Sequence, residues 1–253
     1  MAAIVGAAAD IGQVIDRLDA IVGWSRDRSS RLGYFPALYR KVTIAVAGEI
    51  ERGAFDDGPR MARLDVAFAT RYLDAIDAFR NGQPTTQAWA AAFTAAGHWW
   101  PIVLQHLLLG MNAHINLDLG IAAARSVERD ELPALRADFD RINGILAGLV
   151  AEVRDELAQV WPMLRLFNAV LGRTQTTLIN FSMERARDRA WAVAEELAPL
   201  PRPAQEAAIA RLDRGVAEFA RVVRHPGFLL GATTRLVRVG ELGSIDRKIA
   251  ILR

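Results

Sequence analysis

Two histidines, two asparagines and an aspartate fall within one short apolar stretch, HLLLGMNAHINLDLG, where leucine and isoleucine would otherwise make a featureless core helix. At about 100° per residue, His114 and Asp118 lie one helical turn apart, so their side chains can meet or share one ion. Imidazole and carboxylate together suit zinc, manganese or iron. The same pair also makes a general base whose tautomer the carboxylate fixes. Asn112 and Asn116 form a second pair about 160° to 200° around the axis, too far to join one compact site, so one pair is expected to be structural. His106 lies about 80° and roughly 12 Å before His114, out of reach of a shared ion. Gly110, weakening the helix between them by about 1 kcal/mol relative to alanine, suggests close approach of a backbone or ligand.

Neighbouring segments offer partners. In LDVAFATRYLDAIDAF, Asp65, Phe68, Tyr72 and Phe79 share a stripe, with Arg71 at its edge. Asp65 and Arg71 could reach the His/Asp helix, or pair with each other. In INFSMERARDRAWAVAEEL most charges suit a solvated face; the other expectation is Arg185 or Asp188 turned inward, with Trp191 as a pocket wall. Trp89, Trp99, Trp100 and Trp161 are expected in the core, and His98 as a cap on the central helix.

Apolar residues recur at three- and four-residue spacing nearly throughout, without strand-like alternation. The fold class is therefore all-α, a single-domain antiparallel bundle of about eight helices around a buried central one, residues 101–125. The helices are expected at about Ala9 to Arg26, Pro36 to Arg52, Pro59 to Arg80, Thr86 to Ala96, Pro101 to Arg125, Pro133 to Gln159, Thr174 to Leu197 and Pro203 to Val223. Glycine and proline at RGAFDDGP, RNGQP, GHWWP and LPRP mark the breaks. The helical domain spans 1–224. A glycine-bearing tail, 225–253, ends in the apolar IAILR and should dock on the bundle or on a partner, a second copy included.

At 253 residues the chain can bury a core without staples. It has no cysteine, which excludes disulfides, thiolate metal sites and cysteine nucleophiles. The net charge is +2, with arginine supplying all but Lys41 and Lys248 of the basic residues. Acids balance bases along the chain, so nucleic acid is not an expected partner. No uninterrupted apolar run approaches the roughly 20 residues of a membrane span, and no basic residue precedes the weakly apolar start. The expected compartment is the cytoplasm. Phosphate loops, dinucleotide fingerprints, nucleophile elbows and zinc-protease helices are absent, so no nucleotide cofactor is expected.

Three blocks, LYRKVTIAVAGEIERGAFDDGPRMARLDVAFATRYLDA, LLLGMNAHINLDLGIA and RARDRAWAVAEEL, together resemble a bacterial family, domain of unknown function 5995. Its recognisable core, Gly-(Met or Ile)-Asn-Ala-His-Ile-Asn-x-Asp-Leu, is similar to Gly110 to Leu119. The resemblance implies that Asn112, His114, Asn116 and Asp118 belong to one motif, and implies no mechanism. The residues support two readings. One is an enzyme acting on a small, largely apolar molecule by hydrolysis, elimination or isomerisation. In it His114 and Asp118 are metal ligands (one divalent Zn, Mn or Fe) or acid–base groups, Asp65 or Arg71 contributes, and Asn112, Asn116, His106, Tyr72 and Trp191 surround substrate. The other is a non-catalytic module binding a small molecule or protein, with the polar residues as a buried network.

Overall fold

A computed structural model of the chain describes residues 8–160, 183–225 and 237–253. All regular elements among them are helical: α1 (Ile11–Asp27), α2 (Tyr34–Glu51), α3 (Gly58–Arg80), α4 (Gln87–Ala96), α5 (Val103–Ala113), a π-helical stretch (His114–Leu119), α6 (Gly120–Ser126), α7 (Leu132–Val160), α8 (183–197), α9 (Arg202–Arg224) and α10 (Ile245–Leu252). The all-α expectation holds. Trp161 and the expected helix start at Thr174 lie outside the described residues.

Local chemistry sets many of the boundaries. Asp10 accepts a hydrogen bond from the Gln13 amide to start α1, and Asp57 and Thr86 do the same for α3 and α4. Pro59 sits in the first turn of α3, where its missing N–H leaves no partner wanting. Along α1, Val14, Leu18, Ile21 and Val22 are buried at helical spacing. Each such side chain contributes ~1.5–3 kcal/mol by leaving water.

Long-range carboxylates hold three helix starts in place. Asp138 of α7, fully buried, accepts from the Asp56 and Asp57 amides just before α3. Asp213 of α9 accepts from Gln87 and Ala88 at the start of α4. Glu241, beyond α9, accepts from the Val103 amide at 2.7 Å. Each meets amides that have no partner within their own helix. Glu241, rather than the expected His98, caps the central helix, because the tail brings a full negative charge to those amides. The tail itself is seated by Ile249 and Leu252, both fully buried with Val22, Leu38, Val103 and Leu107.

The α5–π–α6 run, Val103–Ser126, is long and apolar enough to cross a membrane by length and composition, which the count of uninterrupted apolar residues did not anticipate. Of its apolar window 72% is buried inside the bundle, as for a central core helix. Glycines let its neighbours close in. A Cβ on Gly110 would lie 2.4 Å from the Phe35 ring, and one on Gly120 would lie 2.5 Å from the Ala190 carbonyl. Trp99 and Trp100 are not core residues. They stack on each other at 5.4 Å and stay 58% and 45% exposed, because they precede the helix and lie outside its packed face.

Candidate functional site

The central helix departs from α geometry at the motif itself. Residues His114–Leu119 form a π-helical stretch, with the α-helix resuming at Gly120. Hydrogen bonds to the fifth rather than the fourth residue widen the turn, a departure found frequently at functional sites. The His114 side of the widened turn faces α2, α3 and α4, and its opposite side packs on α9.

From α2 come Phe35 and Tyr39, from α3 Asp65, Phe68, Arg71 and Tyr72, and from α4 Trp89. The spacing of Asp65, Phe68 and Tyr72 puts them on one face of α3, as the sequence suggests. The His114 ring stacks on Phe68 at 3.6 Å and 10°. The Tyr39 ring meets it edge-on at 4.3 Å, and Phe35, Tyr72 and Trp89 complete an aromatic enclosure.

Asp118 is the anchored member of the pair. Arg71 Nε donates to its Oδ1 at 2.6 Å, and Trp89 Nε1 donates to its Oδ2 at 2.7 Å. Trp89, expected only as core filling, is thus a hydrogen-bond donor. His114 Nδ1 lies 3.9 Å from Asp118 Oδ2, beyond hydrogen-bond distance but near enough to feel the charge. Burial pushes the imidazole below its ordinary pKa, against the opposing pull of Asp118.

Asp65 does not pair with Arg71. Arg71 is engaged with Asp118, which leaves the buried Asp65 without a cation, and burial alone pushes its carboxyl up to about 7. Asp65 Oδ2, both His114 ring nitrogens and the Tyr39 and Tyr72 hydroxyls are buried and make no hydrogen bond with the protein. Burial raises both phenols, and the Asp65 carboxylate adds to the shift at Tyr39. Leaving one such group unsatisfied costs about 1–3 kcal/mol. Such groups on His114 and on two tyrosines packed against it are a concentration that stability alone does not select.

The remaining sequence candidates lie elsewhere. Asn112 Nδ2 donates to the Val216 carbonyl of α9, and Asn116 Nδ2 donates to Asn112 Oδ1, both at 2.9 Å. The asparagine pair therefore ties the central helix to α9 on the side away from His114. His106 packs on Tyr34 at 5.5 Å near the tail, its pKa lowered to about 3 by burial and then by Arg31 and Arg238. Trp191 packs on Phe139 of α7 and donates to Glu195, apart from the His114 cluster. Asp188 pairs with Arg136 at a partly exposed site. The inward arginine of α8 is Arg187, buried over the Phe139 ring at 4.4 Å.

As a metal site the pair has an unfavourable setting. Both Asp118 oxygens already accept hydrogen bonds, and the Arg71 guanidinium supplies the positive charge that an ion would bring. No cluster of three His, Asp or Glu side chains suited to a metal occurs among the described residues.

Tyr39 carried no pattern that marked it in the sequence, since a tyrosine on an apolar helix face reads as core. Only the packing of α2 against the π stretch gives it a role.

Residues 11–226 match the model of a family of unknown function, DUF5995. The chain belongs to that family. The family match includes every element that builds the His114 cluster and ends before the docked tail residues 237–253. No curated protein and no solved structure matches the chain.

Proposed function

We propose that this DUF5995 chain is an enzyme moving a proton on a small, largely apolar molecule, with His114 as general base and Asp65 as its acidic counterpart. The observation that carries the reading is the set of unpartnered polar atoms on His114, Tyr39 and Tyr72, whose rings pack in one aromatic enclosure, with the unpartnered Asp65 carboxyl on α3 close enough to act on Tyr39. His114, kept neutral by burial, is in the form that accepts a proton. With Nδ1 facing Asp118, the tautomer carrying the proton on Nδ1 leaves Nε2 as the acceptor, and the anchored carboxylate stabilises the imidazolium that forms. Asp65, titrating near neutrality, can donate a proton to a substrate oxygen as His114 removes one from carbon. Isomerisation or elimination beside a carbonyl needs that pair of transfers.

The test uses ligand-observed NMR with small apolar ketones, esters and lactones on wild type, His114→Gln and Asp65→Asn. Compounds that bind wild type should be lost from both variants while urea unfolding shows both still folded. If both substitutions lower stability by more than ~2 kcal/mol and leave binding untouched, the groups are structural ties and the proposal fails. Near-stoichiometric metal in purified wild type that disappears in His114→Gln would replace the acid–base reading with a metal-assisted one.

A further inference from the structure

On the side of the central helix away from His114 lies a groove of about 540 Å³ between α8 and α9, floored by Asn112 and Asn116. That volume is in the usual range for small-molecule sites. We infer that this groove binds a single-chain amphiphile, with its anionic head between Arg189 and Arg211 and its chain running past Phe219.

Charge places the head. Only residues 198–201 join α8 to α9, so positions equally far from the turn lie opposite each other. Arg189 is eight residues before the end of α8 and Arg211 nine residues into α9, which sets the two positions at about the same level of the groove that both line. Neither has a carboxylate partner among the described residues, whereas Arg136 and Arg125 nearby are both paired. Two guanidinium side chains lining one cavity, with no carboxylate partner among the described residues, fit a carboxylate or phosphate. Glu196 lines the groove nearer the turn and repels an anion there. The head is therefore held at the arginines and the chain leads away from the turn.

Apolar surface continues in that direction. Phe219 lines the groove and is 54% exposed. The hydrogen bonds Asn112 to Val216 and Gln105 to Val223 run α9 antiparallel to α5, so beyond Phe219 the surface reaches the part of α5 that leaves Leu108 and Leu104 41% and 44% exposed. Leu104, Leu108, Asn112 and Asn116 follow at four-residue steps, which makes one continuous strip. From Arg211 to Phe219 is about 12 Å at 1.5 Å per residue, enough to seat an acyl chain of moderate length.

Gly215 supplies a clean control. It lines the groove, and a Cβ there meets nothing within 4 Å, so a larger side chain fills the cavity without displacing the bundle. The experiment is isothermal titration calorimetry of the full chain with sodium dodecanoate below its micelle-forming concentration. Dodecan-1-ol is the uncharged comparison. Saturable one-to-one binding of dodecanoate is expected, at least tenfold tighter than the alcohol. Arg189→Gln combined with Arg211→Gln should weaken it at least tenfold. Gly215→Phe should abolish it with Tm unchanged or raised. His114→Gln should bind as wild type does, which separates this site from the acid–base cluster. No saturable binding to wild type, equal binding of the alcohol, or binding that survives both groove variants would overturn the inference.

Discussion

At the scale of single residues, Asp118 beside His114 and Asp65 on α3 have opposite histories. Asp118 is fully engaged, so Asp118→Ala strands the Arg71 guanidinium and the Trp89 indole N–H together. Removing one member of such a buried pair is expected to lower unfolding free energy by about 3–5 kcal/mol, read by urea denaturation. Asp65 is unengaged, and its pKa moves from 3.8 in the unfolded chain to about 7 in the folded one. Between those values the folded protein holds a proton that the unfolded chain has released. The contribution of Asp65 is thus fully present below pH 4 and is lost as pH rises through 7. Asp65→Asn should gain on wild type across that window, by up to roughly 4 kcal/mol at pH 8. His106 titrates with the other sign. Its folded pKa of about 3 lies below the ordinary 6.5, so stability present at neutral pH drains away as pH falls through 6.5. His106→Gln should resist acid better than wild type, and equilibrium unfolding at pH 4, 6 and 8 checks both signs.

At the scale of elements, the helices were legible because their punctuation is chemical. Asp10, Asp57 and Thr86 cap where the sequence predicts starts, and Pro59 falls in a first turn. The opposition of the asparagine pair to the His/Asp pair also followed from helical angles alone. What the sequence could not carry was decided by packing between distant elements. Whether Arg71 takes Asp65 or Asp118 depends on how α3 meets the π stretch, and the π stretch has no propensity signature of its own. Gly110 was legible as a point of close approach, but its neighbour was not. Gly110→Ala and Gly120→Ala should each destabilise, despite alanine's helix preference of about 1 kcal/mol, because their Cβ atoms would enter the Phe35 ring and the Ala190 carbonyl. Overpacking of this kind typically costs about 1–3 kcal/mol, measurable as a lowered midpoint of chemical unfolding.

At the scale of the whole molecule, the tail closes the bundle rather than hanging from it. Glu241 caps α5 and gathers Arg238 and Lys248 at 2.9 and 3.2 Å, while Ile249 and Leu252 fill the space among α1, α2 and α5. The sequence offered the bundle or a partner as the tail's seat, and its apolar end is buried against its own chain. Ile249→Ala should lower stability by about 2–5 kcal/mol, a core-sized effect from a residue near the end of the chain. A loss below 0.5 kcal/mol in urea unfolding would mean that this end contributes little to holding the fold.

The π stretch gives the central helix two mechanical characters at once. By burial it should be the stiffest rod in the protein, yet at His114–Leu119 its α-helical ladder gives way to a wider turn before resuming at Gly120. Amide hydrogens across residues 115–119 should trade with solvent deuterium at least tenfold faster than those of Leu107–Ala113, giving a dip of protection in the middle of the best-shielded helix. Such a dip would mark slack at the centre of the fold: a place where the His114 ring and the floor of the α8–α9 groove, on opposite faces of one turn, can shift together without the bundle opening.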